Sequence, residues 1–454
     1  MEQQQHTIVD IEEREASPCI FRVHQGLRNA NEKAYTPILV SIGPYHHGDD
    51  KLLPMEKYKK RYLELLLQRN KHQTIEDYLG FMTTLEGRAR MHYADPVHLD
   101  SNKFVKMMLY DACFVLHFLR DVFESNRVKH QHQQGQQSQD VGHDYNPIVK
   151  TSWMRAQICR DLMLLENQLP FFVIFKFYDM SYGLTRTRNP NQNHRNPTPF
   201  IKLATYPIFR IIPRNSDISR IDFQNKTVSE SKHFLDLVHN ICRPSSREES
   251  NDCQNKNQTT SRKMPSVIEL MDAGIKFEAV ETNDEHKLNI FDIHFEHGRF
   301  KIPKFKVADP TETFFRNIIA YEQHSSDDEP KYFSDYTYLM DQLINSKEDV
   351  NQLGRCDVLD NCLGDDEQVA LMFNKLGQGI IIMTDQFYYT ETCRRVNNHC
   401  KRRWNRLIAL LNRDYFKNIW VTVATIAAAL LLLLTLTQTI IALIAIIISP
   451  PSRH

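Results

Sequence analysis

Residues Ile419–Ile448 read IWVTVATIAAALLLLLTLTQTIIALIAIII, thirty positions without a charged side chain. A helix rises ~1.5 Å per residue and the hydrocarbon core of a bilayer is ~30 Å thick, so about 20 such residues suffice to cross it. The stretch is long enough to span with tilt, or to run past the hydrocarbon at one end. A helix buried in a soluble core is the other reading, but apolar runs there rarely pass ~14 residues. Pro450 and Pro451 stop the helix, because proline lacks the amide hydrogen and clashes with the preceding turn. The expected architecture is therefore a water-soluble head followed by one C-terminal transmembrane helix.

The flanks orient it. Lys401, Arg402, Arg403, Arg406, Arg413 and Lys417 precede the span with only Asp414 opposing them, and Arg453 follows it. Positive charge collects on the cytoplasmic side, which places the head in the cytoplasm. Tyr415 and Trp420 stand where interfacial aromatics belong. Residues 449–454 alone follow the span, which predicts post-translational insertion as a tail anchor. The sequons at Asn225 and Asn257 matter only if the head is lumenal. Residues 1–18 are polar and acidic, unlike a signal or transit peptide, and are expected to be disordered.

Set against that segment, the averages mislead. The 454 residues carry 56 basic and 56 acidic side chains, 41% hydrophobic content and zero net charge. A mean hydropathy of -0.48 describes a soluble protein. Fourteen glycines exclude a collagen-like chain, and 25 Phe with 18 Tyr exclude wholesale disorder. Overall neutrality argues against a nucleic-acid partner. The zero is a sum of unlike parts. Residues 401–454 hold seven Lys or Arg and one Asp, so residues 1–400 are acidic by six. Nine scattered cysteines form no C-x-x-C pair, which suits a reducing compartment and no metal site, with Cys113 and Cys159 expected as buried thiols.

The head, residues 19–400, alternates patterned segments with polar inserts at 125–147, 182–199 and 243–264, expected as mobile loops. Helices are predicted over 55–69, from Ile75 past Leu85, along the face Phe104, Met108, Asp111, Val115 and Phe118, and over 154–169 up to Pro170. The apolar run 169–178, LPFFVIFKFY, is too short to span and reads as core. Alternation in 288–305 with a His297-Gly298 turn predicts a β-hairpin. Asp309 reads as the N-cap of the next helix, with Pro310 at its first turn and Glu312 at its third position. Further helices are expected over 334–345 and 365–376, and a long one over 385–416 leads toward the span, with 401–418 expected as a basic juxtamembrane helix. The fold class is α+β, predominantly α-helical, with a small β-hairpin element and one C-terminal transmembrane helix.

Several polar groups invite a functional reading. Adjacent His46 and His47 after Gly43-Pro44 can ligate or transfer protons, but on an extended segment they point apart, and a turn whose imidazoles bond to the scaffold is the simpler reading. Glu166-Asn167-Gln168 and Glu322-Gln323-His324 each cap a helix end or line a pocket. Asp111 among apolar neighbours needs a partner such as Arg88 or Arg90, and a structural ion pair is the simpler reading. Gln438 in the span either bonds to a neighbouring helix or is tolerated near an interface. No G-x-S-x-G, Walker A, H-E-x-x-H or kinase pattern occurs.

The blocks CIFRVHQGLRNANEKAYTPILVSIGPYHHG (19–48), LLPMEKYKKRYLELLLQR, DACFVLHFLRD, DLMLLENQLPFFV, DPTETFFRNIIAYEQ and VNNHCKRRWNRLIALLNRDYFKNIW occur in that order. Together they resemble the plant family called domain of unknown function 247, the UPF0481-type membrane proteins, over about 430 residues. His24 departs from the proline usual there. The resemblance implies a plant membrane protein with one C-terminal span and no established enzymatic activity. Some relatives are associated with pollen–stigma recognition, which is not carried over. No residue is put forward as catalytic, cofactor-binding or metal-ligating, and no cofactor is expected. The expected function is that of a membrane-anchored interaction or signalling module. Its partners would be the bilayer, unidentified proteins, and a second copy through the transmembrane helix. An enzyme using Glu166, His46, His47 and Glu322, or a lumenal or extracellular recognition domain, are the alternatives.

Overall fold

Buried Met55, Tyr62, Leu63 and Leu66 lie at helical spacing along α1 (Leu53–Arg69). The computed structural model describes residues 17–133, 147–182, 200–205, 231–244, 263–280, 290–383, 386–401 and 419–448. Helix α2 (Ile75–Arg90) starts at a reciprocal cap, in which the Asp77 amide donates to Thr74 and the Thr74 amide to the Asp77 carboxylate at 2.8 Å. Helix α3 (Ser101–Gln133) is buried almost all round between Phe104 and Leu119, as expected of a central core helix. Helices α1, α2 and α5 (Phe171–Tyr182) pack around it, with α4 (Ser152–Asp161) lying between α3 and α5 in the chain.

Two predicted boundaries are corrected here. The helix expected over 154–169 ends at Asp161, and residues 162–169 form turns. Buried Leu162, Met163, Leu164 and Leu165 continue the apolar run, but the groups that follow must face several backbone partners at once. Helix α3 runs eight residues past Ser125 into the first insert, because no glycine or proline occurs before Gly135. The rest of that insert, and most of the other two, lie outside the described residues.

Helix α6 (Phe234–Cys242) and a short capped helix, Val267–Asp272, lead to the sheets. The predicted hairpin is β2 (His294–Glu296) against β3 (Arg299–Pro303), in register His294↔Lys301, Phe295↔Phe300, Glu296↔Arg299. His297 (φ 50°) and Gly298 (φ 75°) both occupy the left-handed region that a two-residue hairpin turn requires. Strand β1 (Lys276–Val280) adds to β3 in parallel, giving the order β1-β3-β2. Strands β4 (Phe305–Val307) and β5 (Leu359–Asn361) form a separate parallel pair.

The C-terminal half of the head is helical: α7 (Asp309–His324), α8 (Tyr332–Leu343), α9 (Lys347–Arg355), α10 (Asp366–Leu376) and α11 (Thr390–Lys401). Asp309 is the first helical residue of α7 and not its cap. The cap is Ala308, whose amide donates to Thr311 Oγ1 at 2.9 Å, which frees Glu312 for Asn31 and Arg316. Helix α11 begins at Thr390, five residues later than expected, and residues 402–418 lie outside the described part. Helix α12 (Ile419–Ile448) contains a window, Trp420–Ile444, long and apolar enough to cross a membrane and with no share of it buried. The fold is predominantly α-helical α+β with this one candidate transmembrane helix.

Candidate functional site

Residues 17–52 contain little regular structure, yet Val23, Val40 and Ile42 are buried. Their backbone groups need partners that no helix or sheet supplies. Buried side chains from the core supply them. Glu166 Oε1 accepts from the Val23 amide at 2.6 Å and pairs with the Arg28 guanidinium. Asn167 accepts from the Ile42 amide at 2.7 Å and donates to the Val40 and Asp161 carbonyls at 3.0 and 2.9 Å. Gln168 donates to the Leu162 and Leu164 carbonyls, each at 2.7 Å, and accepts from the Phe234 amide at 3.1 Å. A Cβ on Gly43 (φ +77°) would stand 2.3 Å from the Gln168 carbonyl oxygen, so only glycine allows this approach.

Two more carboxylates fasten this segment, residues 17–52, which lies over the core as a strap. Asp161 accepts from the Ile38, Leu39 and Val40 amides, the closest at 2.7 Å. Burial raises its pKa, opposed by these backbone bonds and by Arg160. Asp111 accepts from the Gly43 amide at 2.8 Å and from Lys59 Nζ at 2.6 Å, and Lys59 also donates to the Ser41 carbonyl at 2.6 Å. Burial works against the Lys59 charge, but Asp111 and Glu56 outweigh it and hold the amine protonated. The expected partners Arg88 and Arg90 are engaged elsewhere. Arg88 lies over the Phe172 ring, and Arg90 pairs with Glu86 while donating to the Val97 and Leu99 carbonyls. Lys59 reaches Asp111 because α1 packs directly along α3.

The histidine pair sits in a turn, not on an extended segment: the His47 amide donates to Pro44 and the Asp49 amide to His46. His46 Nε2 stands 3.5 Å from Glu166 Oε2, longer than a good hydrogen bond. Contrary to expectation, neither His46 Nε2 nor His47 Nδ1 has a hydrogen-bond partner among the described residues, though both atoms are buried. Burial works against ionisation of Glu166. The neighbouring His46, the Val23 amide and Arg28 outweigh it and hold the carboxyl below the usual carboxylate range.

Glu322 belongs to another junction. It accepts from the Phe333 amide (2.9 Å), the Ser334 amide (2.7 Å) and the Ser334 hydroxyl (2.7 Å), capping α8, with His239 Nε2 at 2.9 Å. Gln323 holds Ile381 through both backbone groups, and His324 Nδ1 lies 2.7 Å from the Ala320 carbonyl. Of the four groups that an enzyme was to use, Glu166 and His46 converge, His47 is their chain neighbour, and Glu322 is apart.

The order of these fasteners along the chain is that of the sequence blocks, and residues 20–434 match the model of a plant protein family of unknown function, DUF247. The chain belongs to that family. Two curated relatives from Arabidopsis thaliana are similar to it along nearly its whole length. UPF0481 protein At3g47200 is 26% identical, over 94% of this chain and 87% of the relative. Putative UPF0481 protein At3g02645 is 24% identical, over 93% and 90%. No solved structure matches.

For this DUF247 chain, the blocks that carry the resemblance are largely the parts that fasten one another. Sequence reading missed Asp161 and the cluster of Asp236, His233 and Tyr321. The Tyr321 hydroxyl donates to Asp236 at 2.6 Å. His233 Nδ1 accepts from the Asp236 amide at 3.2 Å, so its Nε2 carries the proton given to the Cys19 carbonyl at 3.0 Å. Burial pushes that imidazole down to about 4 and the Cys19 thiol up to about 12. The only available signal was a polar residue inside an apolar helical pattern. Among the described residues no three His, Cys, Asp or Glu groups are placed to hold a metal ion. An open polar groove of about 500 Å³ lies between Lys304, Asn351, Arg355, Asp357, Asp360 and Asp366, and none of the strap's fasteners lines it.

Proposed function

We propose that this DUF247 chain is a membrane-tethered interaction module whose head is held at the cytoplasmic face by α12. The observation that carries the reading is the Trp420–Ile444 window, uncharged, predominantly apolar and with none of it buried, beside a head that buries its own core. Exposing Leu430, Leu431, Leu432 and Leu433 to water is unfavourable by roughly 1.5–3 kcal/mol per side chain relative to burial, and lipid removes that cost. The basic residues from Lys401 to Lys417 support the cytoplasmic side. The reading as a module and not an enzyme rests on how the candidate groups are used. The Glu166, Asp161, Asp111 and Glu322 carboxylates all hold backbone amides of other segments. Alkaline carbonate extraction tests the tether. The full chain is expected to stay with the membrane pellet, and a chain lacking 419–448 to enter the supernatant. Release of the full chain would contradict the tether.

A second copy is the partner that α12 itself suggests. Thr435, Gln438, Thr439 and Ala442 recur at three- and four-residue steps along one face. The Thr435 and Thr439 hydroxyls donate to carbonyls of their own helix at 2.9 and 2.6 Å, which leaves the Gln438 amide as the polar group offered to a neighbour.

A further inference from the structure

A serine or threonine followed three residues later by an acid serves two chemistries. Its hydroxyl can cap a helix, with the acid closing the reciprocal bond. It can also accept a phosphoryl group from a kinase whose basic cleft reads the acid. Among the described residues the pattern opens at Thr74, Thr83, Ser266, Ser325, Ser326 and Ser346. Five of these hydroxyls are engaged in helices. Thr74 caps α2, Ser266 the helix Val267–Asp272 and Ser346 α9, each in a reciprocal cap. Thr83 donates to the Leu79 carbonyl inside α2 at 2.8 Å, and Ser325 to the Tyr321 carbonyl at the end of α7 at 2.8 Å.

Ser326 is the exception. It lies in the 325–331 connection between α7 and α8 and opens no helix. Pro330 stands where the fourth helical residue would be, and has no amide to give the first helical bond to the Ser326 carbonyl. The Ser326 hydroxyl accepts from the Asp328 amide at a long 3.4 Å, and Ser326, Asp327 and Asp328 are exposed. Acids follow it at three successive positions, Asp327, Asp328 and Glu329. Few bonds hold this loop. The Glu329 amide donates to the Ser326 carbonyl at 3.1 Å. Lys331 Nζ stands 3.1 Å from Asp327 and Lys232 Nζ 3.4 Å from Glu329, and the carboxylates of both pairs face water. Exposed pairs of this kind contribute little, so the loop can open into a kinase cleft at small cost.

We propose that Ser326 is a phosphorylation site for an acid-directed serine kinase. The γ-phosphorus of ATP bonds to Ser326 Oγ as its bond to the β,γ-bridging oxygen breaks, ADP leaves, and the hydroxyl proton passes to the base of the kinase. Asp328 and Glu329 are the recognition residues, read by cationic side chains of the kinase. The phosphate adds about −1.5 to −2 charges at pH 7 to a loop that already carries three acids, beside the C-terminal end of α7, where negative charge is unfavourable. The modification thereby changes the charge that this end of the head presents to a partner. Cytosolic ATP reaches the loop only on a cytoplasmic head, so the proposal rests on the tether reading.

The full chain in sealed microsomes is incubated with the acid-directed kinase casein kinase 2 and ATP on the outside, and in parallel with the same reagents after detergent has opened the membrane. Phosphate is located by peptide mass spectrometry. It is expected on Ser326 in both samples, with the capping hydroxyls of Thr74, Ser266 and Ser346 unmodified. Ser326→Ala should lose the label. Asp328→Asn/Glu329→Gln should slow labelling of Ser326 about tenfold, as for the loss of one bond to a charged group. No phosphate on Ser326 in detergent, as much on a capping hydroxyl as on Ser326, or a rate that the double variant leaves unchanged overturns the site and leaves the tether standing. Phosphate on Ser326 in detergent but not in sealed microsomes overturns the cytoplasmic placement, and with it the modification in the cell.

Discussion

Asn167 shows how much one side chain can hold. It bonds three backbone groups from two segments and is fully buried. Replacing it by leucine leaves the Ile42 amide and two carbonyls without partners, at about 1–3 kcal/mol for each group left unsatisfied. Asn167→Leu should therefore lower the urea midpoint sharply, whereas His47→Ala, which removes no hydrogen bond of the His47 side chain, should barely move it. A second prediction concerns pH. His233 is fully buried and its pKa is pushed down to about 4 by burial, against about 6.5 unfolded. A depressed histidine binds fewer protons folded than unfolded, so its contribution is present above pH 6.5 and is lost as pH falls toward 4. The loss amounts to about 3 kcal/mol. His117, pushed down to about 3 by burial, acts in the same direction and continues to lower pH. Denaturation midpoints measured from pH 7 to 4 should fall, and His117→Phe, which removes an unpartnered buried nitrogen and keeps a ring against Tyr62, should flatten the slope. A slope that His117→Phe leaves unchanged would remove His117 from the explanation.

Elements were legible where their periodicity is local. Helices α1, α2 and α3 follow from apolar spacing, and the hairpin from alternation closed by His297-Gly298. Strand β1 and the β4–β5 pair were not legible. Parallel pairing joins Phe305 to Leu359 and Lys276 to Arg299 across long intervals, and three-residue strands carry too few positions for a period. The turn run 162–169 was hidden for a related reason. Its leucines read as helix, while its conformation answers to backbone groups over a hundred residues away, at Val23 and Ile42. The candidate site was half legible: the ENQ residues were singled out, but Lys59 as the partner of Asp111 and the amide-binding role of Asp161 depend on how α1 and residues 38–40 lie against α3 and α4. At this scale Gly298→Ala should cost about 1–2 kcal/mol, since φ is 75° and His399 occupies the space. In α12, Gln438→Leu should reduce crosslinked dimer in membranes, and no change would remove Gln438 from the contact.

The whole molecule joins a head built on buried polar fasteners to a helix built on none. Zero net charge conceals that division, because the acidic head and the basic approach to α12 cancel. The carboxylates that would otherwise suggest chemistry are engaged as fasteners, and under the proposed tether α12 would give the head its place. Protease protection on sealed, intact membranes tests that placement most directly, with a tag ahead of Met1 and detection of the fragment that remains. Protease added outside sealed microsomes is expected to remove the tag and the head and to leave a short protected fragment containing Ile419–Ile448. A head that resists digestion until detergent opens the membrane would place it in the lumen and contradict the cytoplasmic tether.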